Sequence, residues 1–67
     1  MDVTFKGQII DLKVGDRLLI DTGSGYINER VVVEISPSGR LVKFQAWGWY
    51  EAADLIFLER IGRRNDV

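Results

Sequence analysis

The sequence contains no cysteine and no histidine among its 67 residues. These absences exclude disulfide bonds and remove the usual ligands of structural zinc, together with the commonest general base and the strongest nucleophile. The ten acidic residues are scattered along the chain, so they form no evident pair for carboxylate catalysis. We therefore predict a protein that is not an enzyme and that holds no metal or cofactor.

Long hydrophobic runs are absent too, since no apolar stretch approaches the roughly 20 residues that span a bilayer. The start of the chain, residues 1–5, lacks the basic and apolar regions of a signal peptide. Together with the lack of cysteine, this favours a soluble, cytoplasmic protein that does not contact membranes. The net charge of −1 and a pI of about 5.2 predict weak overall attraction to nucleic acid.

Aromatic residues are concentrated in one stretch. The eight residues from Phe44 to Glu51 include both tryptophans, one of the two tyrosines and one of the three phenylalanines. A domain of this size buries only about 60% of the surface that its unfolded chain exposes, so its core is too small for every ring. We predict that at least one ring lies at the surface as part of a binding site.

Alternation of apolar and polar residues is clearest in residues 27–46 and predicts an antiparallel hairpin. Its turn is Ser36-Pro37-Ser38-Gly39, in which the proline fits a type I turn and Gly39 fits a left-handed position. In the first strand, one face is predicted to be apolar and the other polar. The apolar face holds Ile27, Val31, Val33 and Ile35, with Glu29 as an exception, and the polar face holds Asn28, Arg30, Glu34 and Ser36, with Val32 among them.

The same alternation predicts which face of the strand each ring of the aromatic stretch occupies. Phe44 is predicted inward with Val42 and Ala46, Phe57 is also assigned to the core, and Trp47 is predicted outward. Gly48 indicates a bulge or a close backbone approach. Trp49 and Tyr50 should lie on opposite faces, and we favour Trp49 as the more exposed. The list of outward residues in the second strand is Leu41, Lys43, Gln45 and Trp47.

The remaining chain is divided by turn signals. Residues 1–12 are predicted to be an N-terminal extension or an edge strand. Gly15-Asp16 forms a turn in which the aspartate accepts backbone N–H bonds, and a strand over 17–21 and a loop over 22–25 follow. A 3-10 turn is predicted at 52–54, a last strand at 55–61 and a flexible tail at 62–67. A helix over 50–61 is the alternative for that segment.

Several short strands with tight turns and no long helix indicate an all-β fold, a small closed barrel of about five antiparallel strands. The order of landmarks over residues 13–61 resembles an SH3-like barrel of the Tudor type. Val14-Gly15-Asp16-Arg17 matches the Gly-Asp that opens the first strand of that family, and Trp47-Gly48 matches its aromatic-Gly step. Asp54-Leu55 matches the closing segment that follows a 3-10 turn.

The resemblance implies a ligand surface, because Tudor-type barrels hold methylated lysine or arginine in a cage of aromatic rings. The matching positions are Tyr26 and Trp47, with Trp49 or Tyr50 beside them, and cation–π attraction would supply the binding energy. The acidic and asparagine residues that flank the glycine in the family are replaced here by Ala46 and Trp49. Glu51 or Asp54 would then supply the negative charge.

Our leading hypothesis for function is a non-catalytic module that binds a peptide or protein partner. Its predicted ligand-binding residues are Tyr26, Trp47, Trp49, Tyr50 and Glu51. The partner could also be a second copy, because an exposed aromatic patch favours self-association.

Two alternatives stay open. The first is a nucleic-acid-binding barrel in which a tryptophan stacks on bases, and the second is a structural subunit of a larger assembly such as a phage particle. The phosphate-binding residues of the first alternative would be Arg40, Lys43, Arg60, Arg63 and Arg64.

Overall fold

The computed structural model describes residues 1–63 of the chain. The fold is all-β and consists of a two-stranded sheet followed by a five-stranded antiparallel sheet. The strands are β1 Asp2–Phe5, β2 Gln8–Asp11, β3 Asp16–Asp21, β4 Ile27–Ile35, β5 Leu41–Phe44, β6 Gly48–Glu51 and β7 Ile56–Arg63, with a 3-10 helix at Ala52–Asp54. The predicted 3-10 turn at 52–54 is confirmed, and the helical alternative over 50–61 is wrong.

The five-stranded sheet has the order β6-β5-β4-β3-β7, and every neighbouring pair is antiparallel. Strands β3 to β6 are therefore consecutive neighbours, while the last strand of the chain returns to pair with β3. Strand β7 continues to Arg63, whose partner is Asp16, and Gly62 pairs with Arg17. The tail predicted from residue 62 is wrong for residues 62 and 63, and its remaining part, 64–67, lies outside the described residues.

The first residues do not add an edge strand to this sheet, nor do they extend loosely from it. Strands β1 and β2 form their own hairpin, in which Val3 pairs with Ile10. Val3 and Phe5 alternate with exposed residues and are fully buried. The Phe5 ring centroid lies 5.6 Å from that of Phe57 in β7, so the hairpin packs its apolar face against the sheet.

One hydrophobic core joins the two sheets. Burial in a domain this small has to draw on every element, and the core includes the hairpin, three strands of the large sheet and the 3-10 helix. Its buried members are Val3, Phe5, Leu12, Leu18, Ile20, Val32, Val42, Phe44, Ala52 and Leu55. The predicted inward positions of Val42 and Phe44 are confirmed.

The predicted faces of β4 are wrong for most of its length. Val32 is the fully buried residue of the strand, whereas Ile27 and Val33 are exposed. The reason is a β-bulge, because Val32 pairs with Phe44 while Glu34 already pairs with Lys43. The extra residue shifts the alternation by one position, so Ile35 still packs against the core although Val33 does not.

Candidate functional site

The tip of the β5–β6 hairpin decides where the aromatic rings point. Phe44 and Gly48 are cross-strand partners, and the N–H of Trp47 donates to the Phe44 carbonyl at 3.1 Å. Ala46 takes a left-handed φ of 64° and Gly48 a φ of 91°. The predicted bulge or close approach at Gly48 is wrong, because the β5–β6 register is continuous and an added Cβ would meet no atom within 4 Å. The glycine is needed for its left-handed φ angle.

Ala46 and Trp47 are therefore corrected. Ala46 lies exposed in the turn, and Trp47 is half-buried against the core and does not point outward. Its ring packs on Tyr50 at a centroid distance of 4.6 Å and meets Phe44 edge-on at 5.9 Å. Strand alternation fails here because the left-handed residue turns the chain between Phe44 and Trp47. Three rings of the aromatic stretch thus form one inner cluster.

An internal cation covers this cluster. Arg30 lies on the inward face of β4, opposite the buried Leu18, and its Cζ is 4.6 Å from the centroid of the Trp47 ring. Its Nε is buried and has no hydrogen-bond partner within residues 1–63, so the ring face is its main favourable contact. The predicted cage for a methylated cation is filled at Trp47 by a side chain of the same protein.

Trp49 is the exposed ring of the stretch, as the alternation predicts. Its side chain is 44% exposed on the outer face of β6, opposite to Tyr50. The cross-strand neighbour Lys43 places its Nζ 6.0 Å from the ring centroid, and Glu34 is the partner of Lys43 in the next strand. No ring contact is formed by Trp49 among the described aromatic residues.

Tyr26 and Glu51 do not complete a cage. Tyr26 is 77% exposed at the end of the loop before β4. Arg30 lies four positions further along the chain, a distance of about 13 Å in an extended strand, and within the described chain no other ring contacts Tyr26. Glu51 forms an ion pair with Arg40. The five predicted ligand-binding residues therefore do not form one site. Trp47 and Tyr50 belong to the inner cluster, Trp49 and Glu51 lie on the outer face of β6, and Tyr26 lies before β4.

The predicted phosphate-binding residues are also dispersed. Arg40 is paired with Glu51, and Lys43 lies beside Trp49. Arg60 lies on the inward face of β7 and Arg63 at its end, and both approach Asp16. Arg64 lies outside the described residues. Nowhere in residues 1–63 do these cations line up as a stripe along one surface.

Asp16 is the buried charge of the fold, with no exposed surface. Its Oδ2 accepts from the backbone N–H of Lys13 at 2.9 Å, which confirms the predicted turn. Arg63 donates from Nε at 2.6 Å and from Nη2 at 3.3 Å, and Arg60 Nε lies 3.3 Å from Oδ2. Burial alone would raise the pKa of Asp16, but these donors and charges outweigh burial and hold that pKa below its ordinary value.

A groove that the sequence analysis did not anticipate lies beside this network. Its volume is about 450 Å³, and its lining consists of Gly15, Arg17, Val31, Gln45, Gly62 and Arg63. Arg17 has Val31 as its partner in β4 and Gly62 as its partner in β7. The sequence gives no local indication of this groove, because its residues come together only when β3 pairs with the distant strand β7.

The chain matches no protein-family model, no curated protein and no solved structure. Residues 1–63 contain no helix long and apolar enough to cross a membrane, and the same residues contain no cluster of acidic side chains arranged to hold a metal ion. Fold and candidate sites together define a small all-β domain with one exposed tryptophan on an edge strand and one arginine-lined groove.

Proposed function

We propose that the protein is a non-catalytic binding module that takes an extended peptide segment of a protein partner along β6. The observation that carries the proposal is the position of Trp49, an exposed ring on an edge strand of the five-stranded sheet. An edge strand presents unpaired backbone N–H and C=O groups. A peptide that adds to such an edge forms backbone hydrogen bonds, and a neighbouring ring supplies apolar contact area.

Charge and apolar contacts around Trp49 support the same function. Lys43 and Glu34 stand beside it on the outer face, and the ion pair between Arg40 and Glu51 closes one end of β6. Opposite charges next to an exposed ring give the polar rim that peptide-binding surfaces have around their apolar centre. The partner is therefore an extended segment with an apolar anchor and polar flanks.

We also propose that the five-stranded sheet curves into an SH3-like barrel that stays open at the outer edge of β6. The support is its order, in which the four consecutive strands β3 to β6 are antiparallel neighbours and β7 returns to pair with β3, together with the 3-10 helix between β6 and β7. Curvature into a barrel reduces the exposed edges of a chain rich in β-forming residues, and the outer edge of β6 is the one left for the peptide.

The test starts from peptides selected on the wild-type protein from a random display library. Their affinities are then measured for Trp49→Ala, for Trp49→Phe and for Tyr26→Ala, an exposed aromatic residue away from β6. We expect Trp49→Ala to weaken binding by about tenfold or more, Trp49→Phe to weaken it less, and Tyr26→Ala to leave it unchanged. Equal binding to wild type and Trp49→Ala would refute the proposal, and equal losses at both aromatic positions would favour the composite site that includes Tyr26.

A further inference from the structure

The arginine-lined groove is formed by one row of residues across three strands. Val31, Arg17 and Gly62 are cross-strand partners and therefore share the outer face of the sheet. Gly62 leaves the space beside Arg17 open, since a Cβ on this residue would meet no atom within 4 Å. The groove lies on β3, β4 and β7 and extends to Gln45 in the β5–β6 turn, and none of its lining residues belongs to β6, the strand of the proposed peptide surface.

Two arginines, Arg17 and Arg63, line this groove, and each guanidinium is held by a carboxylate that does not use all of its N–H donors. Asp16 binds Arg63 through Nε and one Nη, and Arg17 places its Nε 3.5 Å from Glu29 Oε2. Arg17 is more than half exposed, and its ion pair with Glu29 is made through Nε. A guanidinium has more N–H donors than either partner uses, and Gln45 also lines the groove.

We propose that this groove binds a single carboxylate of an acidic peptide, with Arg17 and Arg63 as its donors. A planar carboxylate matches the fork of a guanidinium and accepts two parallel hydrogen bonds from it. Because Asp16 already holds Arg63 in place, little side-chain entropy is lost when the ligand binds there.

The neighbouring row of cross-strand partners on the outer face favours a peptide over a nucleic acid as the ligand. Leu19 stands there between its partners Glu29 in β4 and Glu59 in β7, about 7 Å from the groove row along the strands. Consecutive phosphates would meet these two carboxylates, whereas one acid followed by an apolar side chain would place its apolar group over Leu19. The overall charge of −1 also disfavours a polyanion.

The experiment is an NMR titration of the isotope-labelled protein with three probes. The first is a blocked pentapeptide with a central glutamate between leucines, the second is the same peptide with glutamine, and the third is an oligothymidylate. We expect the glutamate peptide to shift the backbone amides of Gly15 and Gly62 and the Nε–H signal of Arg17. The glutamine peptide should bind about tenfold more weakly, because it lacks the charge-assisted hydrogen bonds.

Two variants test the role of the guanidinium. Arg17→Gln should weaken binding of the glutamate peptide about tenfold, and Arg17→Lys, which keeps the charge without the fork, should weaken it less. Lys6→Gln removes an exposed cation outside both the groove and β6 and should leave the affinity unchanged. The proposal is overturned if the groove signals do not shift, if both peptides bind equally, or if the oligothymidylate binds more tightly than the glutamate peptide. These signals lie outside β6, so failure here is distinguishable from failure of the Trp49 surface.

Discussion

Replacement of Asp16 by asparagine tests the largest electrostatic contribution that we assign to the fold. The carboxylate lies at the junction of β3 and β7 and accepts from Lys13 N–H and from Arg63, with Arg60 close by. Asparagine has nearly the same shape but only one acceptor oxygen, and its NH₂ group would face a guanidinium. The substitution therefore leaves the packing in place and removes the charge together with at least one charge-assisted hydrogen bond.

The expected loss of stability follows from those contacts. A hydrogen bond to a charged group contributes about 1.5–3 kcal/mol, and the two arginines are about a third exposed, so solvent weakens their attraction. We expect Asp16→Asn to lower the free energy of unfolding by about 2–3 kcal/mol. For a domain of this size each kcal/mol corresponds to about 4–8 °C in Tm, so the midpoint should fall by roughly 10–20 °C.

The pH dependence has a definite sign. The pKa of folded Asp16 is held below its ordinary value of 3.8, so the folded state binds this proton less readily than the unfolded state. The stability that the ionised carboxylate contributes is present above pH 3.8 and is lost as the pH falls through the folded pKa. The difference in the free energy of unfolding between wild type and Asp16→Asn should therefore be largest near neutral pH and should become smaller in acid.

Urea unfolding, followed by tryptophan fluorescence and far-UV circular dichroism, measures both effects. The matched control is Asp54→Asn, which makes the same chemical change at an exposed position in the 3-10 helix and should leave stability nearly unchanged. The reasoning is wrong if Asp16→Asn lies within about 0.5 kcal/mol of wild type at neutral pH, or if its deficit is as large in acid as at neutral pH.

Three further substitutions test the turns. Gly39 and Gly7 have nearly equal left-handed φ angles of 73° and 72°, but a Cβ at Gly39 would lie 2.9 Å from the Asp2 carbonyl oxygen, while one at Gly7 would meet nothing within 4 Å. Gly7→Ala should cost about 1 kcal/mol and Gly39→Ala about 1–3 kcal/mol more, and equal losses in urea unfolding would contradict a close approach between β1 and the β4–β5 turn. Ala46→Gly should raise stability by up to about 1 kcal/mol by removing the left-handed alanine, and a measured loss would count against that strain.

Features that depend on neighbouring residues could be predicted from the sequence. The turn at Asp16, the left-handed Gly39, the inward Phe44 and the 3-10 helix all follow from local turn chemistry or from alternation. Each requires only a few adjacent residues, and the pairing of distant strands changes none of them.

Features that depend on distant partners could not be predicted in this way. The bulge in β4 exists only in relation to β5, and its single extra residue exchanged the faces on which Val32 and Val33 were placed. The end of β7 was missed for a similar reason. Arg63 resembles part of a charged tail in sequence, but it pairs with Asp16, 47 residues earlier in the chain.

The positions of the rings in the aromatic stretch depend both on neighbouring residues and on distant partners. A small core cannot hold all of its rings, and the structure reduces the excess by covering the Trp47 face with Arg30, a cation of the same chain. The contact lets a half-buried ring keep one side near the surface without presenting it to a ligand. One ring of the stretch is then left on the outer face, and it stands on a strand whose outer edge is unpaired within residues 1–63. Because Arg30 already occupies the face of Trp47 on which the cage was predicted, that ring is not available to a ligand. The candidate binding surface is therefore at Trp49 and not at the predicted cage.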